Sequence, residues 1–269
     1  MKGYKFFRAI LSPIYKFWYR PKIEGKENIL EEGSIILAGN HIHIMDQCNV
    51  IVATKRNLHY MAKKEYFDNK KVAWFFKLAG CIPVDRSKKD ENAKEAAIEV
   101  LENHHALGIF PEGTRNGLKE SKIKEIYKKY FFEMSYKKFC KKMKKNKTSF
   151  VLYLEELMNE GIITELDYLN NIFNVEKYLR ELITGGVITL DDYYDHILLP
   201  LKYGAVSMAY KTDSYIIPYA ISGNYKFRSK NLVIKIGKPF KTNDDLEESN
   251  KRLDSEIKRL LREINEKSD

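Results

Sequence analysis

Cysteine is scarce in this chain. Cys48, Cys81 and Cys140 are too few and too scattered to staple a disulfide framework or to build a cysteine-rich zinc site. A reducing cytosolic setting is expected, and no metal. Long apolar runs are missing too: none approaches the ~18–20 residues of a bilayer-spanning helix. The N-terminal segment lacks the unbroken apolar stretch of a cleaved signal. Its runs Phe6-Phe7, Ala9-Ile10-Leu11 and Ile14-Tyr15 are separated by Arg8, Ser12 and Pro13, and flanked by Lys5 and Lys16. A Ser or Cys nucleophile motif is also lacking, which argues against a hydrolase.

Positive charge is present in excess. A formal net charge of +10 calls for an anionic partner, whether phospholipid headgroups, nucleic acid or an acidic carrier protein. An aromatic content of 13% excludes wholesale disorder. In Met1–Lys26 the cations Lys2, Lys5, Arg8, Lys16, Arg20, Lys22 and Lys26 face Glu24 alone, interleaved with Phe6, Phe7, Ile10, Leu11, Ile14, Phe17, Trp18 and Tyr19. Cations beside Trp and Phe on a helical stretch suit an interfacial membrane helix. The competing reading packs the same apolar face onto a core. Pro13 is expected to kink or divide the helix.

From Ser34 the pattern alternates. Ser34–Ala38, Leu58–Ala62, Cys81–Val84 and Leu107–Phe110 read as strands; Met45–Thr54, Glu65–Ala79 and Glu91–His104 read as the helices between them. Tyr215–Ser222 and Leu232–Ile236 are further strands, and Leu246–Ile264 is a charged amphipathic closing helix. Such alternation predicts an α/β fold with a mostly parallel central sheet flanked by helices.

Between Leu118 and Ile197 the alternation stops. Lys119–Lys147 holds twelve Lys against Glu120, Glu125 and Glu133, whereas Leu154–His196 holds ten acidic residues against Lys177 and Arg180. This shift marks an inserted α-helical region. The expected organisation is a membrane-associating segment over 1–26, a catalytic domain over 27–117 and 198–269, and an insertion over 118–197. Within the insertion Tyr153-Leu154-Glu155-Glu156-Leu157 and Gly161-Ile162-Ile163-Thr164 recur as Tyr178-Leu179-Arg180-Glu181-Leu182 and Gly186-Val187-Ile188-Thr189. Gly161 and Gly186 would end helices, where positive φ is easy. Thr164 and Thr189 would cap the next ones, with Asp167 and Asp192 as capping-box partners. Each unit resembles the short helical hairpins called SHOCT motifs, which imply packing or partner binding and no catalysis. A DNA-reading helix-turn-helix fits less well, because these hairpins are acidic and would repel phosphate.

Two stretches carry candidate chemistry. Ile35-Ile36-Leu37-Ala38 leads into Asn40-His41-Ile42-His43-Ile44-Met45-Asp46, and Leu107-Gly108-Ile109-Phe110 leads into Pro111-Glu112-Gly113-Thr114-Arg115. Ligands of open α/β sheets bind at such strand ends. A base oriented by a carboxylate, with a turn carrying an acid and a cation, points to acyl transfer to a phosphorylated alcohol. Five residues along one helix would turn His41 and Asp46 about 140° apart. A loop holding His41, with a helix beginning near Asp46, brings them together, so that Asp46 fixes the imidazole tautomer. His43, three residues before Asp46, is a competing base.

In sequence order the chain presents Asn40-His41-x4-Asp46, Ala62-Lys63-Lys64-Glu65, Gly80-Cys81-Ile82-Pro83-Val84-Asp85-Arg86, Phe110-Pro111-Glu112-Gly113-Thr114-Arg115 and Ile217-Pro218-Tyr219-Ala220-Ile221. Over residues 1–118 and 199–240 this resembles the glycerolipid acyltransferase family, most closely its lysophosphatidate (1-acyl-sn-glycerol-3-phosphate) acyltransferases. The resemblance implies transfer of a fatty acyl group from a thioester to the sn-2 hydroxyl, giving phosphatidate in phospholipid biosynthesis. It implies His41 as general base, Asp46 as its orienting acid and no acyl-enzyme. Lys63, Arg86 and Arg115 match positions that hold the acceptor phosphate, as cationic groups suit a phosphate monoester. Glu112 and Gly113 match the family's turn, with Glu112 orienting Arg115 or contacting the glycerol. No cofactor is implied: acyl carrier protein or coenzyme A brings the acyl chain as a thioester substrate. The expected setting is peripheral, on the cytoplasmic face of the cell membrane, with an anionic membrane surface and a lysophospholipid as partners and no nucleic acid.

The chain departs from the family pattern at His43, where a small hydroxyl residue is more frequent, and at Asp85, directly before Arg86. The insertion displaces the family's continuation to Lys202-Tyr203-Gly204-Ala205. Two rivals stand beside the favoured reading. One keeps the chemistry but takes glycerol 3-phosphate or another lysophospholipid as acceptor. The other is a non-catalytic lipid-binding scaffold acting through the helical insertion.

Overall fold

The computed structural model describes residues 2–85 and 90–267. Two compact units emerge, Met1–Gly113 with Leu201–Asp269, and Thr114–Pro200. The chain opens with α1 (Lys2–Tyr19), β1 (Lys22–Glu24), β2 (Ile35–Gly39), α2 (Asp46–Ala53) and β3 (Leu58–Lys63). Next come α3 (Glu65–Asp68), α4 (Lys70–Leu78), β4 (Ile82–Val84), α5 (Glu91–Glu102) and β5 (Ala106–Ile109). The second unit holds α6 (Glu120–Tyr130), α7 (Tyr136–Met143), α8 (Thr148–Asn159), α9 (Glu165–Asn171), α10 (Val175–Thr184) and α11 (Leu190–Asp195). The first unit then resumes with α12 (Gly204–Lys211), β6 (Tyr215–Ser222), β7 (Val233–Ile236) and α13 (Leu246–Glu266).

Among the described residues seven strands form one sheet in the order β1-β7-β6-β2-β5-β3-β4, parallel throughout except for the β6–β7 pair. The central β2 is buried along its whole length between β5 and β6. That burial on both faces explains its continuous apolar run. Ile35, Leu37, Val50, Leu58, Ile217, Tyr219 and Ile234 share one core cluster. The α/β architecture thus follows the alternation in the sequence.

One local boundary needs correction, and the course of α1 is now defined. The helix expected over Glu65–Ala79 is two helices, because the Asn69 side chain accepts the Lys71 N–H and caps α4. Pro13 does not divide α1, which runs through it. Pro13 and Ala9 both lie on the exposed side, so the carbonyl that proline leaves without a donor meets solvent. The helix also turns its apolar side outward: Tyr4 and Tyr15 are buried, while Phe6, Ile10, Leu11, Ile14, Phe17 and Trp18 are exposed. The strand β1 and helix α12 add to the elements that the pattern announced.

The second unit is all helical and has its own core, with Phe139, Phe150, Leu154, Tyr168, Leu179 and Tyr193 fully or nearly fully buried. Its repeat is structural as well as sequential. Gly161 and Gly186 have φ of 74° and 70°. In each copy the glycine N–H reaches back three residues and the next N–H reaches back five, Gly161 to Met158 and Ile162 to Leu157, Gly186 to Ile183 and Val187 to Leu182. This bond pair closes a helix end with a left-handed residue. Thr164 with Asp167, and Thr189 with Asp192, form complete capping boxes.

The Thr164 hydroxyl, then its backbone N–H, hold Asp167 below the ordinary 3.8, and Thr189 does the same for Asp192. A depressed folded-state pKa contributes stability above the ordinary value, and that contribution fades as pH falls through the depressed one. Thr164→Ala and Thr189→Ala therefore lower the thermal midpoint of this unit more at about pH 7 than at about pH 3. Differential scanning calorimetry at the two pH values checks this, and an equal loss at both contradicts it.

Candidate active site

Because β2, β5, β3 and β4 run parallel, the residues that leave their carboxyl ends gather along one edge of the sheet. Asn40 continues β2 by one step using its side chain: its Nδ2 donates to the Ile221 carbonyl at 2.9 Å and its Oδ1 accepts the Ile221 N–H at 2.7 Å. This amide clamp fixes the point at which the chain turns into His41.

The His41 and Asp46 side chains meet. His41 Nδ1 lies 2.8 Å from Asp46 Oδ2, and the ring stacks on Phe110 at 4.0 Å between centroids. The same Oδ2 accepts the N–H of Ile42 at 2.6 Å and of His43 at 2.7 Å. Backbone N–H groups only donate, so Oδ2 is an acceptor and His41 Nδ1 carries the proton. That tautomer leaves Nε2 as the basic nitrogen. Nε2 has no hydrogen-bond partner among the described residues, and the side chain is 15% exposed while that of Asp46 is 0% exposed. His43 is placed differently. Its Nδ1 accepts the Met45 N–H at 3.3 Å and its ring stacks on Tyr225 at 4.1 Å.

The turn after β5 closes against the same loop. Glu112 is buried and its Oε1 accepts the His41 N–H at 2.7 Å, tying the two motifs together through the His41 backbone. Gly113 has φ of 70°, which is why glycine suits this turn, and the flexible end of the Lys202 side chain lies against it, 2.8 Å from where a Cβ would stand. Lys202 returns the chain beside this turn, its N–H donating to the Pro111 carbonyl at 2.9 Å. Lys63 is exposed at the carboxyl end of β3, in register with Val84 of β4. It makes no hydrogen bond or ion pair with His41, Asp46 or Glu112. Arg115 belongs to the second unit and is exposed. Arg86 lies outside the described residues.

Three residues complete the site that sequence reasoning did not single out. Asp46 Oδ1 accepts the Tyr225 hydroxyl. Tyr225 accepts in turn from Asn49 Nδ2 at 2.6 Å, and Asn49 Oδ1 accepts the Tyr15 hydroxyl at 2.8 Å. Burial, and then the charge of Asp46, push the Tyr225 phenol far above its ordinary value, so it stays a donor. Tyr225 stands 179 residues from Asp46, with no local pattern to announce it.

Cys48, on α2, is the thiol closest in sequence to the dyad. Burial, and then the Asp46 charge, push it up to about 11. A neutral thiol is a poor nucleophile toward a thioester. Near pH 7 an alkylating reagent should therefore modify Cys48 at least about tenfold more slowly than a free cysteine. The Cys48→Ala protein should retain turnover. Fast alkylation, followed by mass spectrometry, with loss of turnover would contradict this.

The chain is similar to known proteins over much of its length. The Acyltransferase family model matches residues 20–222. A 1-acyl-sn-glycerol-3-phosphate acyltransferase of Bacillus subtilis (strain 168) is 34% identical over 113 residues, covering 42% of this chain and 57% of that protein. A protein of the same name from Streptococcus pneumoniae is 32% identical over 88 residues, covering 32% of this chain and 33% of that protein. The matched part thus spans roughly a third to just over half of these relatives' length. The crystal structure of the 1-acyl-sn-glycerophosphate acyltransferase PlsC from Thermotoga maritima aligns with a TM-score of 0.57 at 19% identity. It covers 98% of this chain and 84% of that one, and so agrees in fold. With the family model matched over most of its length, the chain belongs to the Acyltransferase family.

Proposed function

We propose that the protein transfers a fatty acyl group from an acyl thioester to the sn-2 hydroxyl of lysophosphatidate, giving phosphatidate. The observation that carries this reading is the His41 imidazole, with Nδ1–H donated to a buried carboxylate and Nε2 left as an acceptor at the strand edge. The names borne by the similar proteins support the acceptor. His41 Nε2 takes the proton of the hydroxyl as its oxygen attacks the thioester carbonyl. The C–S bond then breaks, and the thiolate recovers the proton from the imidazolium. Asp46 stabilises the cation that His41 becomes between those steps. Lys63, Arg86 and Arg115 are the cations assigned to the acceptor phosphate, and Lys202, beside Gly113, joins them as a candidate. Acyl carrier protein or coenzyme A supplies the thioester, and either acidic carrier suits a chain of net charge +10.

The same reading places the protein at a membrane surface. No helix among the described residues is long and apolar enough to cross a membrane. The outward side of α1 instead carries Phe6, Ile10, Leu11, Ile14, Phe17 and Trp18, with exposed Lys5 and Lys16 beside them. Helix α4 extends this surface. Phe7 packs on Trp74 and Phe75 at 5.9 and 5.2 Å, and Trp74 and Leu78 are themselves exposed. A helix of this kind lies in the interface plane with rings at headgroup depth. A lysophospholipid then reaches the site from the bilayer.

Two outcomes are expected. With lysophosphatidate and an acyl thioester on anionic vesicles, His41→Ala lowers phosphatidate formation by roughly 10²–10⁴-fold, while His43→Ala lowers it by less than about tenfold. The reverse order would make His43 the base, and full activity of the unsubstituted protein on glycerol 3-phosphate alone would replace the acceptor. Phe6→Ser with Ile10→Ser weakens vesicle binding by roughly tenfold or more, since burying two large apolar side chains contributes several kcal/mol. Unchanged vesicle co-sedimentation would remove α1 from the docking surface.

A further inference from the structure

The helix that faces outward with its apolar side is wired inward to the catalytic carboxylate. Tyr15, on its buried side, begins a file of donors that ends on Asp46. The direction of every bond in the file is forced. The Asp46 carboxylate accepts, so Tyr225 donates to it; the single phenol proton is then used, and the Tyr225 oxygen accepts from the Asn49 amide. Asn49 Oδ1 is left to accept the Tyr15 hydroxyl. Such a file polarises in one sense and strengthens along its length.

A second connection leads from the helix to the same tyrosine. The loop between β6 and β7 carries Tyr225 and, two residues on, the exposed Phe227. Phe227 lies edge-on to Trp18 at 4.8 Å, and the Arg228 N–H donates to the Trp18 carbonyl at 2.5 Å. The Arg228 guanidinium sits 5.6 Å from the Phe17 ring centroid. Tyr19 adds an edge contact to the Tyr225 ring at 5.6 Å. The helix therefore grips the loop that delivers Tyr225 and also donates, through Asn49, to the hydroxyl it delivers.

We propose that Tyr225 is a positioning residue for the His41–Asp46 dyad and that α1, through Tyr15 and Trp18, holds it in place, so that the seating of the interfacial helix sets the geometry of the base. The inference rests on the acyl-transfer reading of that site. Tyr225 touches no reacting atom. It acts by fixing Oδ1, which leaves Oδ2 turned toward His41 Nδ1.

The test uses the full chain on anionic vesicles with three phenylalanine substitutions. Tyr225→Phe should lower kcat roughly tenfold, the scale of one hydrogen bond to a charged group, with KM for the acceptor within about twofold. Tyr15→Phe should lower kcat by a few-fold with vesicle binding unchanged. Tyr19→Phe removes a hydroxyl from the same aromatic cluster without breaking any of these bonds, and should leave kcat alone. In parallel, the Nδ1–H resonance of His41 is followed in 15N-histidine-labelled protein without substrate, identified by its loss in His41→Ala. It should move in Tyr225→Phe and Tyr15→Phe and stay in Tyr19→Phe. An unmoved kcat or an unmoved resonance in Tyr225→Phe overturns the proposal, as does an equal effect from Tyr19→Phe. A Tyr15→Phe protein that matches the unsubstituted one removes α1 from it. If Tyr225→Phe fails to fold, 3-fluorotyrosine at that position keeps the hydroxyl while changing its donor strength. The resonance must then still shift. If the unsubstituted protein forms no phosphatidate, the acyl-transfer reading fails, and the resonance alone decides the positioning role.

Discussion

A carboxylate with no access to water, Asp46, organises the site from every side. Two backbone N–H groups, the His41 imidazole and the Tyr225 hydroxyl all donate to it. An isolated buried charge costs several kcal/mol, and only a full set of donors offsets that. Here the donors come from the loop after β2 and from the loop after β6. The need to satisfy one carboxylate therefore fixes the His41–Met45 loop, the tautomer of His41 and the place of Tyr225 at once.

The sheet makes this arrangement possible. Parallel strands deliver all their exits to one edge, and β2, between β5 and β6, puts its exit in the middle. Glu112 from the neighbouring exit reaches the His41 N–H, and Asn40 locks to Ile221 of β6. His41 is thus held by its backbone, by its ring against Phe110 and by Asp46, with Nε2 left without a hydrogen-bond partner among the described residues. The Lys-rich and acidic limbs between Thr114 and Pro200 build a separate helical core whose two hairpins repeat the same caps and the same helix stops.

Much of this was legible in the sequence because the signals are local. Apolar runs alternating with helical patterns gave six of the strands, and His41 and Asp46 could be paired because both lie at a single loop-to-helix junction. The caps of the repeat were legible for the same reason: Thr164 and Asp167 are three residues apart. What escaped reading depends on distance. The three-residue β1 has too few side chains for a period, and α12 hides in a short run that reads as the motif Lys202-Tyr203-Gly204-Ala205. The antiparallel turn of β7 is a matter of chain direction, which composition does not carry. Apolar continuity hid the Asn69 cap within Glu65–Ala79. Tyr225 is a single aromatic residue among 18 tyrosines, marked only by what folding brings near it.

The most direct measurement is the turnover of Asp46→Asn on vesicles, beside the unsubstituted protein, with the fold checked by circular dichroism. Asparagine keeps the volume but puts donors where the site already supplies them, and it no longer dictates the His41 tautomer. The account requires a loss of at least about 10²-fold in kcat with the fold preserved. Turnover within a few-fold of the unsubstituted protein would mean that His41 works without its buried partner, and the central claim would fall.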